Sequence, residues 1–127
     1  MIPRQGSERQ SFACAFIGIV KACAIEKHMR FHIVTAIAVL LAALFFRVAV
    51  WEWVAVLLSI ALVLGAELLN SAIEAVVDLV SPEKNPLAAY AKDAAAGGVL
   101  VAAFAAALVG CIVFIPKIWL LVQGFLK

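Results

Sequence analysis

Five polar residues with chemistry in their side chains sit inside one of the most apolar parts of the sequence: Glu67, Asn70, Ser71, Glu74 and Asp78. Wound as a helix at about 100° per residue, Glu74 falls at roughly −20° from Glu67, Asp78 at roughly +20°, Ser71 at roughly +40° and Asn70 at roughly −60°. One narrow stripe is therefore polar and acidic, while Leu68, Leu69, Ala72, Ile73, Ala75, Val76 and Val77 cover the rest. A charged side chain at the middle of a membrane helix costs about 2.5–3.5 kcal/mol on insertion scales, so several on one stripe need a compensating role. Hard carboxylate oxygens suit Mg²⁺ held together with phosphates. By type, Glu26 and Glu74 are candidates to hold the metal and Lys92 to meet phosphate as a point charge. Glu67 lies some 10 Å deeper than Glu74 along the axis, where it would accept a proton from a lipid hydroxyl, with Asn70 orienting it or metal-bound waters.

These residues need elements that hold them at one depth in a membrane. The 127 residues are 67% hydrophobic, against about 45–50% for a soluble domain, so the chain reads as an all-α integral membrane protein of one domain, residues 1–127. The formal charge of +2 gives no case for nucleic acid. Cys14, Cys23 and Cys111 are odd in number and widely spaced, so neither a disulfide framework nor a zinc site is indicated. The polar start lacks the pattern of a secretory signal peptide. Residues of about 7–27 read as an amphipathic helix in the membrane interface. Residues 30–50, 53–80 and 87–115 read as three transmembrane helices, each long enough for the roughly 30 Å hydrocarbon layer. Arg47, Trp51, Glu52 and Trp53 read as a short interfacial connection. Ser81-Pro82-Glu83-Lys84-Asn85-Pro86 breaks the second span, and Pro116-Lys117 is expected to end the third. Alanine and glycine crowd the first half of that third span, a composition for close helix packing. His28 and His32 read as headgroup-facing.

Positive charge gathers on the N-terminal segment (Arg4, Arg9, Lys21, Lys27, Arg30), so the N-terminus is expected in the cytoplasm. The 81–93 connection then also faces the cytoplasm. On this topology Glu26, the Glu67 stripe, Lys92 and Asp93 converge from three places in the chain on one membrane face. Four readings compete for such a cluster. They are a metal–nucleotide site joining a water-soluble donor to a membrane-dissolved acceptor, an ion or proton pathway, polar glue between helices, and a small interaction subunit. The outer half carries no matching acids, which weighs against the pathway. No Walker loop, kinase H-R-D or D-F-G, or G-x-S-x-G elbow occurs.

The stretch Glu67-Leu68-Leu69-Asn70-Ser71-Ala72-Ile73-Glu74-Ala75-Val76-Val77-Asp78 resembles the signature of the prokaryotic diacylglycerol kinase family of small membrane kinases. Glu26-Lys27-His28-Met29-Arg30-Phe31-His32 and Ala91-Lys92-Asp93-Ala94-Ala95-Ala96-Gly97 agree as well, and the resemblance runs over about residues 9 to 116. It implies a homotrimer of three-span protomers with an N-terminal surface helix, in the bacterial cell membrane, transferring the γ-phosphate of ATP to a lipid alcohol with Mg²⁺. It implies Glu67 as general base and Glu26 and Glu74 as metal ligands. It implies Glu26, Glu74, Glu83, Lys84, Asn85, Lys92 and Asp93 at the nucleotide, with Asn70 and Asp78 in support. The family often shows Glu-Tyr-His where this chain has Glu83-Lys84-Asn85, a departure on the adenine side of the site. Residues 29–32, the Trp51-Glu52-Trp53 turn and the ending at residues 110–117 look like the undecaprenol branch, with diacylglycerol as the alternative acceptor.

Overall fold

The computed structural model describes residues 8–126. Four helices follow in order: α1 (Glu8–Ile25), α2 (Lys27–Phe45), α3 (Val50–Val80) and α4 (Pro86–Phe125). The last three are long and apolar enough to cross a membrane.

Each break has a local cause. Glu26 adopts an extended conformation (φ −86°, ψ 123°) and stands as the N-cap of α2, so it marks the corner between α1 and α2. α2 stops at Phe45 because Arg47 turns into the left-handed region at φ 50°. The Val48 N–H then reaches back to the Ala43 carbonyl at 3.2 Å, which satisfies an orphan carbonyl of the last turn. Buried Val48 packs with Ala43 and with Val113 of α4, the apolar contact that accompanies such an ending. α3 starts directly afterwards. The Glu52 carboxylate accepts the Ala49 N–H at 2.6 Å, so the acid at the third helical position caps the chain's re-entry. Ser81-Pro82 ends α3. Asn85 then caps α4: its Oδ1 accepts the Leu87 N–H at 2.8 Å, and Pro86 fills the first helical position, where a missing N–H is harmless.

Three boundaries differ from the reading of the sequence. α2 ends at Phe45, short of residue 50, and α3 begins at Val50, so Trp51, Glu52 and Trp53 belong to a helix and not to a connection. α4 does not end at Pro116-Lys117 but continues to Phe125. A proline inside a helix deletes one hydrogen bond and costs about 3 kcal/mol. Here Lys117 is pinned by Glu52 just past the break, with Nζ to Oε1 at 2.9 Å. The residues that follow, Ile118, Trp119, Leu120 and Leu121, carry no turn signal of their own.

α3 and α4 form the main antiparallel pair, α2 packs on α3, and α1 touches α2 and α3. Two ion pairs clamp α3 to α4: Asp78–Lys92 near one end and Glu52–Lys117 near the other. They lie 26 residues apart on α3 and 25 on α4, so a single register satisfies both. At 1.5 Å per residue that separation is about 38 Å, close to the 40–45 Å of a bilayer with its headgroups. The register brings Glu67 level with Ala102 and Ala103 of α4, and Ala102 is buried there. α1 has no buried residue, and its polar side chains cluster in the first turn (Glu8, Arg9, Gln10, Ser11), with Lys21 beyond. Polarity on α1 is thus graded along its length more than split between two faces.

Candidate active site

The stripe foreseen on α3 stands on one helix, and its members differ in surroundings. Glu67 is 3% exposed, one of two charged residues buried among those described; the other is Glu52. The Glu67 carbonyl accepts the Ser71 hydroxyl at 3.0 Å, so Ser71 is engaged with its own helix. One turn further, Asn70 Nδ2 donates to Glu74 Oε1 at 2.8 Å. That bond orients the Glu74 carboxylate and occupies one of its oxygens. The other end of the amide, Asn70 Oδ1, is buried and receives no donor. A buried carbonyl oxygen without a donor costs about 1–3 kcal/mol.

At the end of α3 the cluster becomes open. Lys92 Nζ donates to Asp78 Oδ1 across the α3–α4 turn. Asp78, Glu83, Lys84, Asn85 and Lys92 line one cavity of about 490 Å³ between the helix ends, together with Ser81 and Pro82. Four residues of the candidate nucleotide set thus share one hollow. Asp93 is exposed. Asn85 also has the structural task of capping α4, which explains an asparagine at that position on local grounds alone. Glu26 stands half-buried at the α1–α2 corner with no capping bond from its side chain, which leaves its carboxylate free of a helix-end duty. Among the described residues no three His, Cys, Asp or Glu side chains gather as a ready-made metal group. Mg²⁺ commonly binds through one or two carboxylates plus substrate phosphates and needs no such group. The half-buried Glu74 carboxylate, held by Asn70, and the half-buried Glu26 carboxylate are hard oxygens of the kind it takes.

Two features escape a reading of the sequence. The part-buried Glu52–Lys117 pair joins residues 65 positions apart. A signal for it exists: the lone acid opening one span and the lone lysine closing the next are separated from Asp78 and Lys92 by nearly equal lengths of helix. His32, read as headgroup-facing, is half-buried, packs edge-on to Phe31 with ring centroids 5.6 Å apart, and lines an apolar groove formed by α2, α3 and α4.

The helices and the site define a multi-pass helical membrane protein with a carboxylate–lysine cluster at one end of its bundle. Residues 13–114 match the model of the prokaryotic diacylglycerol kinase family, and the chain belongs to that family of lipid kinases. It is 39% identical over 109 residues to the undecaprenol kinase of Bacillus subtilis (strain 168), covering 86% of this chain and 89% of that one. It is 41% identical over 114 residues to a diacylglycerol kinase of Synechocystis, covering 88% of this chain and 65% of that protein. The likeness to the diacylglycerol kinase of Escherichia coli (strain K12) is 46% over 54 residues, or 42% of this chain and 44% of that one.

Proposed function

We propose that this kinase transfers the γ-phosphate of ATP to undecaprenol, giving undecaprenyl phosphate. The observation that carries the reading is the buried Glu67 on the same helix stripe as the Asn70–Glu74 pair, at the bilayer end of a cluster that opens into the Asp78–Lys92 cavity. A lipid hydroxyl arrives from the membrane side and a nucleotide from the water side of such an arrangement. Glu67 takes the proton of the acceptor hydroxyl as general base. Lys92 leaves Asp78 for the nucleotide phosphates, and Asp93, Glu83, Lys84 and Asn85 stand around the same nucleotide. Glu26 and Glu74 would hold Mg²⁺, which neutralises phosphate charge when bound. Asn70 keeps the Glu74 carboxylate turned toward that position.

Undecaprenol is favoured over diacylglycerol because the likeness to the undecaprenol kinase extends over nearly the whole of both chains. The diacylglycerol kinases are matched over 65% and 44% of their lengths. The working unit is a homotrimer, a reading supported by α4, which buries only Ala102 and Val113 along 40 residues and leaves large apolar side chains for neighbours or lipid. α1 lies at the cytoplasmic interface, with the N-terminus and the site on that side, since Lys21, Lys27, Arg30, Lys84 and Lys92 all gather there. The test is ATP-dependent labelling of undecaprenol by purified wild-type and Glu67→Gln protein in mixed micelles. Transfer by the wild type and its collapse in the variant support the reading; equal transfer by both removes Glu67 as the base.

A further inference from the structure

Beyond Pro116, α4 leaves the bundle. Lys117 is tied to Glu52 of α3, but every residue from Ile118 to Leu126 is exposed and none is charged. The segment also lies past residue 114, where the family match ends. The two ion pairs stand about 38 Å apart, close to the roughly 40–45 Å of a bilayer with its headgroups. Phe125 lies eight residues past Lys117, about 12 Å further along a straight axis. A straight α4 in a bilayer that fits the two clamps therefore lifts Leu120, Leu121, Val122 and the 83% exposed Phe125 into water. Shifting the bundle by that distance to cover them is no remedy. The headgroup layer on one side is only about 5–8 Å deep, so exposed Arg47 and the Glu52–Lys117 pair would pass into hydrocarbon. At the opposite face Leu79, Val80 and Leu87, all largely exposed, would be pushed out into water.

The placing of side chains around the axis points to a different course. With Ile118 as zero, Leu121, Phe125, Val122, Leu126 and Trp119 fall between roughly −60° and +100°, which makes one apolar arc. Leu120, Gln123 and Gly124 occupy the rest. The bundle side of α4 lies opposite: buried Ala102 and Val113, and the Lys117 that holds Glu52, fall at roughly 200–260°. The apolar arc thus continues the outward face of α4, which already carries exposed Leu108 and Ile115. Pro116 falls at roughly 160°, nearer the bundle side. It has no N–H for the Ile112 carbonyl and its ring crowds that oxygen, so the helix opens on this side and bends toward the outward face. A helix that rises out of a membrane and bends outward turns its outward face down. The apolar arc then meets lipid, and Gln123 and the bare backbone at Gly124 face water. Trp119 comes to the edge of the arc, at the level indoles favour.

We infer that residues 118–126 bend outward at Pro116 and dock on a lipid surface, lying in the headgroup–acyl boundary at the membrane face opposite the Asp78–Lys92 cavity. The partner is phospholipid, and a neutral headgroup suffices because the segment has no charge to pair. The long Lys117 side chain keeps hold of Glu52 while the axis turns. The docked segment anchors the far end of α4 and so fixes the depth at which the bundle sits. The inference goes beyond the kinase reading and does not rest on it.

The test uses the full chain in phosphatidylcholine vesicles, with tryptophan as the depth probe. One variant, Trp51→Phe/Trp53→Phe, keeps Trp119 alone. A second, Trp51→Phe/Trp53→Phe/Trp119→Phe/Phe125→Trp, moves the probe to position 125. Emission is quenched by phosphatidylcholines brominated near the headgroup, at mid-chain or near the chain end. Both probes are expected to emit in the blue-shifted range, to be quenched most by the bromines nearest the headgroup, and to report the same depth. On a straight helix the two probes differ in depth by about 9 Å. Such a difference overturns the inference, whether position 125 reports water or position 119 reports the chain ends. Blue-shifted emission that no bromine quenches overturns it too, because a protein surface such as a second copy of the chain then covers the segment. The wild type gives an answer that needs no variant to fold. Photolysed with a phosphatidylcholine bearing a diazirine near its headgroup, it is expected to take label all along residues 118–126. Label confined to one end of that stretch, or absent from it, contradicts the docking.

Discussion

Glu67 is a carboxylate that a purely structural helix would discard. It is buried in apolar surroundings, and its own helix engages its backbone carbonyl and not its side chain. The general-base role proposed above gives it a reason to be there. Glu67→Gln keeps the volume and removes the base, so transfer should fall by about 10²–10⁴-fold while the protein stays folded, as read by turnover beside circular dichroism. Glu74 is different in kind, because Asn70 fixes one of its oxygens. Glu74→Gln should shift the Mg²⁺ titration of activity to higher concentration and lower the maximal rate; an unmoved titration would exclude it as a ligand. Lys92 is tied to Asp78 across an exposed turn, a contact that costs little to exchange for phosphate. Lys92→Ala should raise KM for ATP by about 10–100-fold, the range for losing a hydrogen bond to a charged group, and leave KM for the lipid alone. At this scale the α3 acids are legible in the sequence because helical period alone aligns them. The Lys92–Asp78 pairing is not, because it forms across a turn between two helices.

Helix ends show the limits of local signals most clearly. Pro116 reads as a terminator, yet α4 passes through it, since a contact with a residue 65 positions away holds the next turn in place. Lys117→Met should lower thermal stability by stranding a buried Glu52, and the Glu52→Gln/Lys117→Met double variant should recover part of that loss, because removing both charges leaves neither unpaired. Arg47 is the opposite case, a side chain where local chemistry favours glycine. It stands at φ 50° after α2, and a left-handed conformation costs a non-glycine residue roughly 1–2 kcal/mol. Arg47→Gly should be neutral or stabilising by up to about 1 kcal/mol and Arg47→Val destabilising by a similar amount, measured by denaturation in detergent. The spans, the Ser81–Pro86 break and the Asn85 region are legible from composition and turn residues. The exact start of α3 is not, since Glu52 caps the helix with a side chain that reads on paper as interfacial charge.

For the whole molecule, the two clamps set the length of the α3–α4 pair to that of a bilayer and so put the open, charged cavity at one face and the Glu52–Lys117 pair at the other. On the orientation proposed above, a single cysteine at Lys84 should react with a membrane-impermeant maleimide only from the cytoplasmic side, and one at Arg47 only from outside; the reverse pattern would invert the topology. Charge distribution is the sequence feature on which that proposed orientation rests. The measurement that decides most is acceptor competition. Purified protein in mixed micelles, with labelled ATP and Mg²⁺, is offered equal amounts of undecaprenol and dioleoylglycerol together. Label in undecaprenyl phosphate in large excess over phosphatidic acid is the expected result; label chiefly in phosphatidic acid would leave the site as described and contradict the acceptor.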